Sequence, residues 1–179
     1  RTGKMFAAQY FDVVTDIITC AKGLGGTGFQ IAAIISKEKY RAMNAMHHSF
    51  TYGSNVMASA AALETLKIID DELFLDNVTY VGNYILNRLD KIKKHNGSIG
   101  DVRGVGLMIG FEIVDPANGK PDTNVTKKIM NAAFEEGLII RDSRYGFGNV
   151  LKIRPPLNIT IDESVELCDR LEGALKKVF

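Results

Sequence analysis

Cysteine is scarce in this chain: it holds only Cys20 and Cys168, far apart and without metal-ligand spacing, which argues against a disulfide-stapled scaffold and against a thiolate zinc site. Such usage fits a reducing compartment, and a cytoplasmic location is expected. An excess of charge of either sign is also missing. With 22 basic and 21 acidic side chains the formal net charge is +1, so no nucleic-acid footprint and no attraction to an anionic membrane surface is expected. No window approaches the roughly 18 consecutive apolar residues of a membrane-spanning helix, and a charged-then-apolar leader is not expected. HExxH, GxSxG and CxxC elements are absent, which leaves zinc hydrolysis and serine-type acyl transfer without support. His47, His48 and His95 form no cluster with carboxylates at ligand spacing, so each is expected to be structural or solvated, and no metal is expected.

What remains is a chain of 179 residues with 46% hydrophobic side chains, enough for a real core in one domain or two small ones. "DVVTDIITC", residues 12–20, is short and β-branched and predicts a strand leading to Lys22. "FQIAAIIS", residues 29–36, follows after too few residues for a crossover helix and predicts an antiparallel return. "KEKYRAMNAM" is helix-prone, "HHSFTYGSN" is a turn-rich loop, and a long helical stretch follows. Its first part is alanine-rich, while Val81, Ile85, Leu89 and Ile92 give its second part an amphipathic stripe that Asn96 and Gly97 close. "IGDVRGVGLMIGFEIV" predicts a strand entered through a glycine-rich turn, and "TNVTKKIMNAAFEEG" a helix with a Thr or Asn cap. Strands "LIIRDS" and "VLKIRP", a break at Pro155 and Pro156, and a helix from about Asp162 to Lys177 complete an α/β outline.

Two glycine patterns carry no chemistry. "RTGK" lacks the spacing and the following hydroxyl residue of a phosphate loop, and "GVGLMIG" has one residue too many for the dinucleotide fingerprint. Lys22 is different in its setting. It ends an apolar run and precedes Gly23, Gly25, Gly26 and Gly28, so backbone can approach a flat ligand there without side-chain interference. A lysine acts as a covalent catalyst only when its amine is deprotonated part of the time. Taken alone, a lysine at a strand end is an ordinary solvated residue. Thr51, beside Gly53 ahead of a helix, offers a hydroxyl to an anion, though such a turn ordinarily only caps a helix. Arg154, before Pro155 and Pro156, presents a guanidinium on stiffened backbone, suited to a carboxylate or equally to a surface ion pair.

Together, "RTGKMFA", "DIITCAKGLGG", "HSFTYGSN", "DVRGVGLMIGFEI", "GLIIR" and "LKIRPPLNIT", in that order, resemble the carboxy-terminal half of a class III aminotransferase, a pyridoxal phosphate enzyme of fold type I. The resemblance spans essentially the whole chain. It implies an α/β fold made of the end of the large domain (residues 1–71), a connecting helix (72–96) and a small carboxy-terminal α/β domain (97–179). It implies that Lys22 bonds covalently to pyridoxal phosphate and then shuttles a proton. Thr51 is implied to bind the cofactor phosphate in a neighbouring subunit's site, so a homodimer with shared sites is expected, and Arg154 to receive a substrate carboxylate. The implied reaction is ping-pong transfer of an amino group from an ω-amino acid, 4-aminobutyrate-like or ornithine-like donor to a 2-oxo acid. A same-fold aminomutase or decarboxylase, or a noncatalytic dimerising remnant, are the alternatives.

The chain departs from the family pattern in its Thr51 loop, which continues as Gly53, Ser54, Asn55 and Val56 rather than Gly-Gly-Asn-Pro. After Lys22 it has "GGTGFQIAA" where Pro-Leu-Gly is common. Family members are also much longer. The opening "RTGKMFAAQYFDVV" lacks a methionine and runs at once into patterned sequence, as if entered in mid-domain, and the acid that pairs with the cofactor ring nitrogen is expected elsewhere. The expectation is an incomplete chain, inactive by itself.

Overall fold

A computed structural model describes the chain except for residues 27, 41–50, 52, 54 and 144. It divides into two compact units, residues 5–75 and residues 1–4 with 76–179.

In residues 5–75 a short helix α1 (Ala7–Tyr10) precedes strand β1 (Ile17–Cys20), and a 3-10 turn at Lys22–Gly25 leads to β2 (Ala33–Ser36). β1 and β2 pair antiparallel with Ile17 opposite Ser36 and Cys20 opposite Ala33, as the short connection between them demands. Asp16 carries the ribbon's open end: its carboxylate pairs with Lys37 at 2.9 Å and Lys39 at 3.4 Å, and the Lys37 hydrogen bond holds its pKa below the usual carboxylate range. The helix-prone stretch 37–46 is described only to Tyr40, with a 3-10 turn at Glu38–Tyr40; its remainder, with His47 and His48, lies outside the described residues. Helix α2 (Val56–Ile69) starts at Asn55, whose side chain accepts from Ala58 N–H. It packs on the Lys22–Gly25 turn and buries Ala58 and Ala62, one turn apart on its small-residue face.

The long helical stretch is not continuous. α2 stops at Asp70, and α3 (Glu72–Lys94) restarts after Asp71, whose side chain accepts from Leu73 N–H at 2.9 Å. No glycine or proline marks this break, which is why periodicity alone runs through it.

The second unit is built on a four-stranded antiparallel sheet in the order β3-β4-β6-β5, from β3 (Ile99–Val105), β4 (Met108–Ile113), β5 (Arg141–Asp142) and β6 (Val150–Ile153). The stretch expected to form one strand is thus a hairpin, turning at Gly106 and Leu107, with Gly106 at φ 53. Alternation separates the faces: Ile109, Phe111, Ile113, Leu151 and Ile153 are buried, while Arg103, Glu112, Lys152 and Arg141 occupy the other face. Helices α4 (Thr123–Glu135) and α5 (Ile161–Val178) pack on one another. The first is capped by Asp122 and the second by a reciprocal Thr160–Glu163 capping box. From α3, Val78, Val81, Ile85 and Leu89 are buried, and Arg88 pairs with Asp169 and Glu172 of α5. At Gly82 the helix meets the hairpin turn backbone to backbone, where an added Cβ would overlap the Gly106 carbonyl.

Candidate active site

Lys22 opens the 3-10 turn that follows β1, and its backbone lies in the left-handed region at φ 57, after an Ala21 that is fully extended. For a lysine this geometry costs about 1–2 kcal/mol relative to ordinary backbone, and strain of that kind persists only where surrounding structure imposes it. The glycines explain how it is imposed. A Cβ at Gly25 would come 3.1 Å from Ile31 Cγ2, and Gly26 sits at φ 68 with its Cβ direction toward Thr65 of α2. The turn is therefore wedged between Ile31 and α2.

Gly23 and Gly28 face open space instead, with nothing within 4 Å of an added Cβ. The space beside Lys22 is a cleft of about 640 Å³, bordered by Ala21, Gly26, Gly28, Phe29 and Gln30. Lys22, a primary amine, borders this cleft, and a side chain at Gly28 would project into free volume, so the setting leaves room for a flat aromatic aldehyde. Thr51 belongs to the same unit, exposed in the turn that precedes α2, and Asn55 caps that helix four residues on. Its loop neighbours Tyr52 and Ser54 lie outside the described residues.

Arg154 belongs to the other unit. It follows the last ladder pair, Ile109 with Ile153, and is exposed, whereas Pro155 is buried. It borders a cleft of about 600 Å³ together with Arg141, Lys152, Glu163, Glu166 and Arg170. The acids of that cleft are engaged: Glu163 with Thr160, and Glu166 with Arg170 at 2.5 Å. Arg141, paired across the ladder with Lys152, has no carboxylate partner among the described residues, and neither do Lys152 and Arg154. Three unmatched cations from adjoining positions make a patch that favours an anion. No local pattern marks this row, because it depends on the register of β5 against β6. No group of His, Cys, Asp and Glu among the described residues can hold a metal ion.

The class III aminotransferase family model matches residues 1–175. The chain belongs to the class III aminotransferase family. Among its relatives, an alanine/serine racemase from Pyrococcus horikoshii is 42% identical over 98% of this chain and 36% of its own length. An acetylornithine aminotransferase from Caldanaerobacter subterraneus is 37% identical over 99% of this chain and 42% of its own length. Of solved structures, an amine transaminase from an uncultivated Pseudomonas species, in a PLP-bound form, superimposes with a TM-score of 0.87 at 27% identity, covering 100% of this chain and 42% of that one. This class III chain thus spans about two fifths of the length of the proteins it matches, and it is a partial segment of the fold type I α/β architecture.

Proposed function

We propose that the protein containing this chain is a pyridoxal phosphate dependent aminotransferase. It moves an amino group from an ω-amino acid, 4-aminobutyrate-like or ornithine-like donor to a 2-oxo acid, with the acetylornithine aminotransferase relative supporting the ornithine-like choice. The observation that carries the reading is Lys22, held in a left-handed turn beside a cleft that Gly28 leaves unfilled. When bound, the cofactor supplies an electron sink that weakens the C–H bond on the carbon bearing the donor amine. Lys22 Nζ would anchor the group, then take the proton released from that carbon and pass it to the cofactor's aldehyde carbon, as a positioned general base and acid. The Thr51 hydroxyl donates to a phosphate oxygen in the site of a second copy of the chain, which makes the working unit a homodimer. Arg154 receives the substrate carboxylate, aided by the uncompensated charge of Arg141 and Lys152. The unpaired Cys20 and Cys168 suit a cytoplasmic setting.

The test is an intact mass and peptide map of the full-length protein after pyridoxal phosphate and borohydride. The expected outcome is one reduced adduct, confined to Lys22 and lost in Lys22→Ala; adducts scattered over surface lysines would overturn the reading. The 179-residue chain alone is expected to show no turnover.

A second reading has its own support in the 42% identical alanine/serine racemase. In a racemase the lysine would take the proton from one face of a carbon and a second acid would supply one to the opposite face, with no 2-oxo acid needed. Incubating single enantiomers with and without 2-oxoglutarate separates the two: amino transfer requires the oxo acid, and inversion does not.

A further inference from the structure

Arg154 stands just past the end of the sheet ladder, where β6 no longer fixes the chain. The next residue, Pro155, is buried and has no N–H, so its carbonyl is its one backbone hydrogen-bonding group. That carbonyl is held by Arg1. Arg1 Nη1 donates to Pro155 O at 2.9 Å and to Leu107 O at 3.3 Å, while Leu107 N–H donates back to Arg1 O at 2.9 Å. One arginine thus joins the hairpin turn of β3 and β4 to the peptide that follows Arg154.

The base of this joint is stiff. An added Cβ at Gly106 would overlap the Arg1 carbonyl, and Gly82 of α3 abuts the same turn from its own side. Arg1, the turn and α3 are stacked at backbone contact, leaving little room for the Arg1 main chain to drift. Arg1 also has no carboxylate partner among the described residues. Burial, and then the neighbouring Arg154, lower its affinity for its proton. A cation placed beside another with no acid between them adds to the attraction for an anion.

We propose that Arg1 is a positioning residue for Arg154: by holding the Pro155 carbonyl it fixes the backbone from which the carboxylate-receiving guanidinium extends. This rests on the reading of Arg154 as the carboxylate receptor. Arg154 is then anchored on both sides, by the Ile109–Ile153 ladder pair before it and by Arg1 after it. Without Arg1 the guanidinium would sample more orientations, and binding of a carboxylate would pay for the lost order.

The test uses the full-length, cofactor-loaded enzyme and compares Arg1→Met, Arg1→Lys and Arg154→Ala. The readouts are KM and kcat with 2-oxoglutarate, the rate of the first half-reaction with a carboxylate-free amine, and Tm. Arg1→Met is expected to raise the 2-oxoglutarate KM about tenfold while the carboxylate-free half-reaction changes by no more than about twofold. Arg1→Lys, which keeps the charge and one donor, is expected to lie between wild type and Arg1→Met, and it carries the test if Arg1→Met does not fold. Loss of both activities together with a large fall in Tm in Arg1→Lys as well as Arg1→Met would show a general structural role and overturn the proposal. So would an unchanged KM in Arg1→Met and Arg1→Lys alongside a raised KM in Arg154→Ala. An unchanged KM in Arg154→Ala would instead remove the Arg154 reading, and the proposal with it.

Discussion

Lys22 shows how much a single residue's backbone can carry. From the sequence its setting was legible, an apolar run followed by glycines, but its left-handed φ was not, because nothing local distinguishes it from the glycine beside it. Cys168 is a second residue whose position decides its chemistry. It is fully buried in α5, and burial raises its thiol pKa from 9.0 to about 11. The fold therefore favours the neutral thiol. Its contribution to stability is complete below pH 9 and is lost as pH rises from 9 through 11, where the unfolded chain ionises and the folded chain resists. Two pH units of difference correspond to about 3 kcal/mol at most. In urea unfolding of this chain between pH 8 and pH 11, wild type is expected to lose about 2 kcal/mol more than Cys168→Ala. A parallel alkaline decline in both proteins would refute that assignment.

At the scale of elements, two helical glycines make opposite predictions for the same substitution. Helix propensity alone favours alanine over glycine by about 1 kcal/mol at both Gly82 and Gly173. At Gly82 the new Cβ meets the Gly106 carbonyl and lies 2.7 Å from Gly106 Cα, backbone atoms that cannot step aside. At Gly173 it meets only the carboxyl end of Glu136, at 3.4 Å. Gly82→Ala is therefore expected to destabilise by about 3 kcal/mol and Gly173→Ala to stabilise by about 0.5–1 kcal/mol, both read from urea midpoints. The antiparallel return of β2 on β1 was legible because a short connection permits little else. The helix starting after Asp122 was placed well but its cap was sought at Thr or Asn, one or two residues late. The β3–β4 hairpin was hidden because the glycines of this stretch read as the entry turn of one strand, and only the pairing of Val105 with Met108 shows that the turn lies between two strands. The tie from Arg1 to Pro155 spans 154 positions, beyond the reach of any local pattern.

At the scale of the whole molecule, the two units differ in how far each can stand by itself. Residues 76–179 bury a continuous set of large side chains, among them Phe111, Leu107, Ile129, Leu151 and Leu171. Among the described residues of 5–75, the buried ones are Gly25, Ala58 and Ala62, which supply almost no apolar side-chain area. Val14, Ile34, Val56, Met57, Leu63 and Ile68 are all more than half exposed there. A two-stranded ribbon is at best marginally stable in water without a sheet or helix to cover it. The relatives are more than twice as long as this chain, so covering for those side chains is expected from the remainder of the protein. For the 179-residue chain alone, amide hydrogen exchange is expected to be slow in β3, β4, β6, α3 from Val78 onward, and α5, and fast throughout β1, β2 and α2. In the full-length protein the amides of β1 and β2 should become at least tenfold slower relative to the chain alone, a shift of about 1.4 kcal/mol in local opening. Equal protection of β1 and β2 in both forms would mean that residues 5–75 reach their stability without the rest of the protein, and that the small core found there is sufficient.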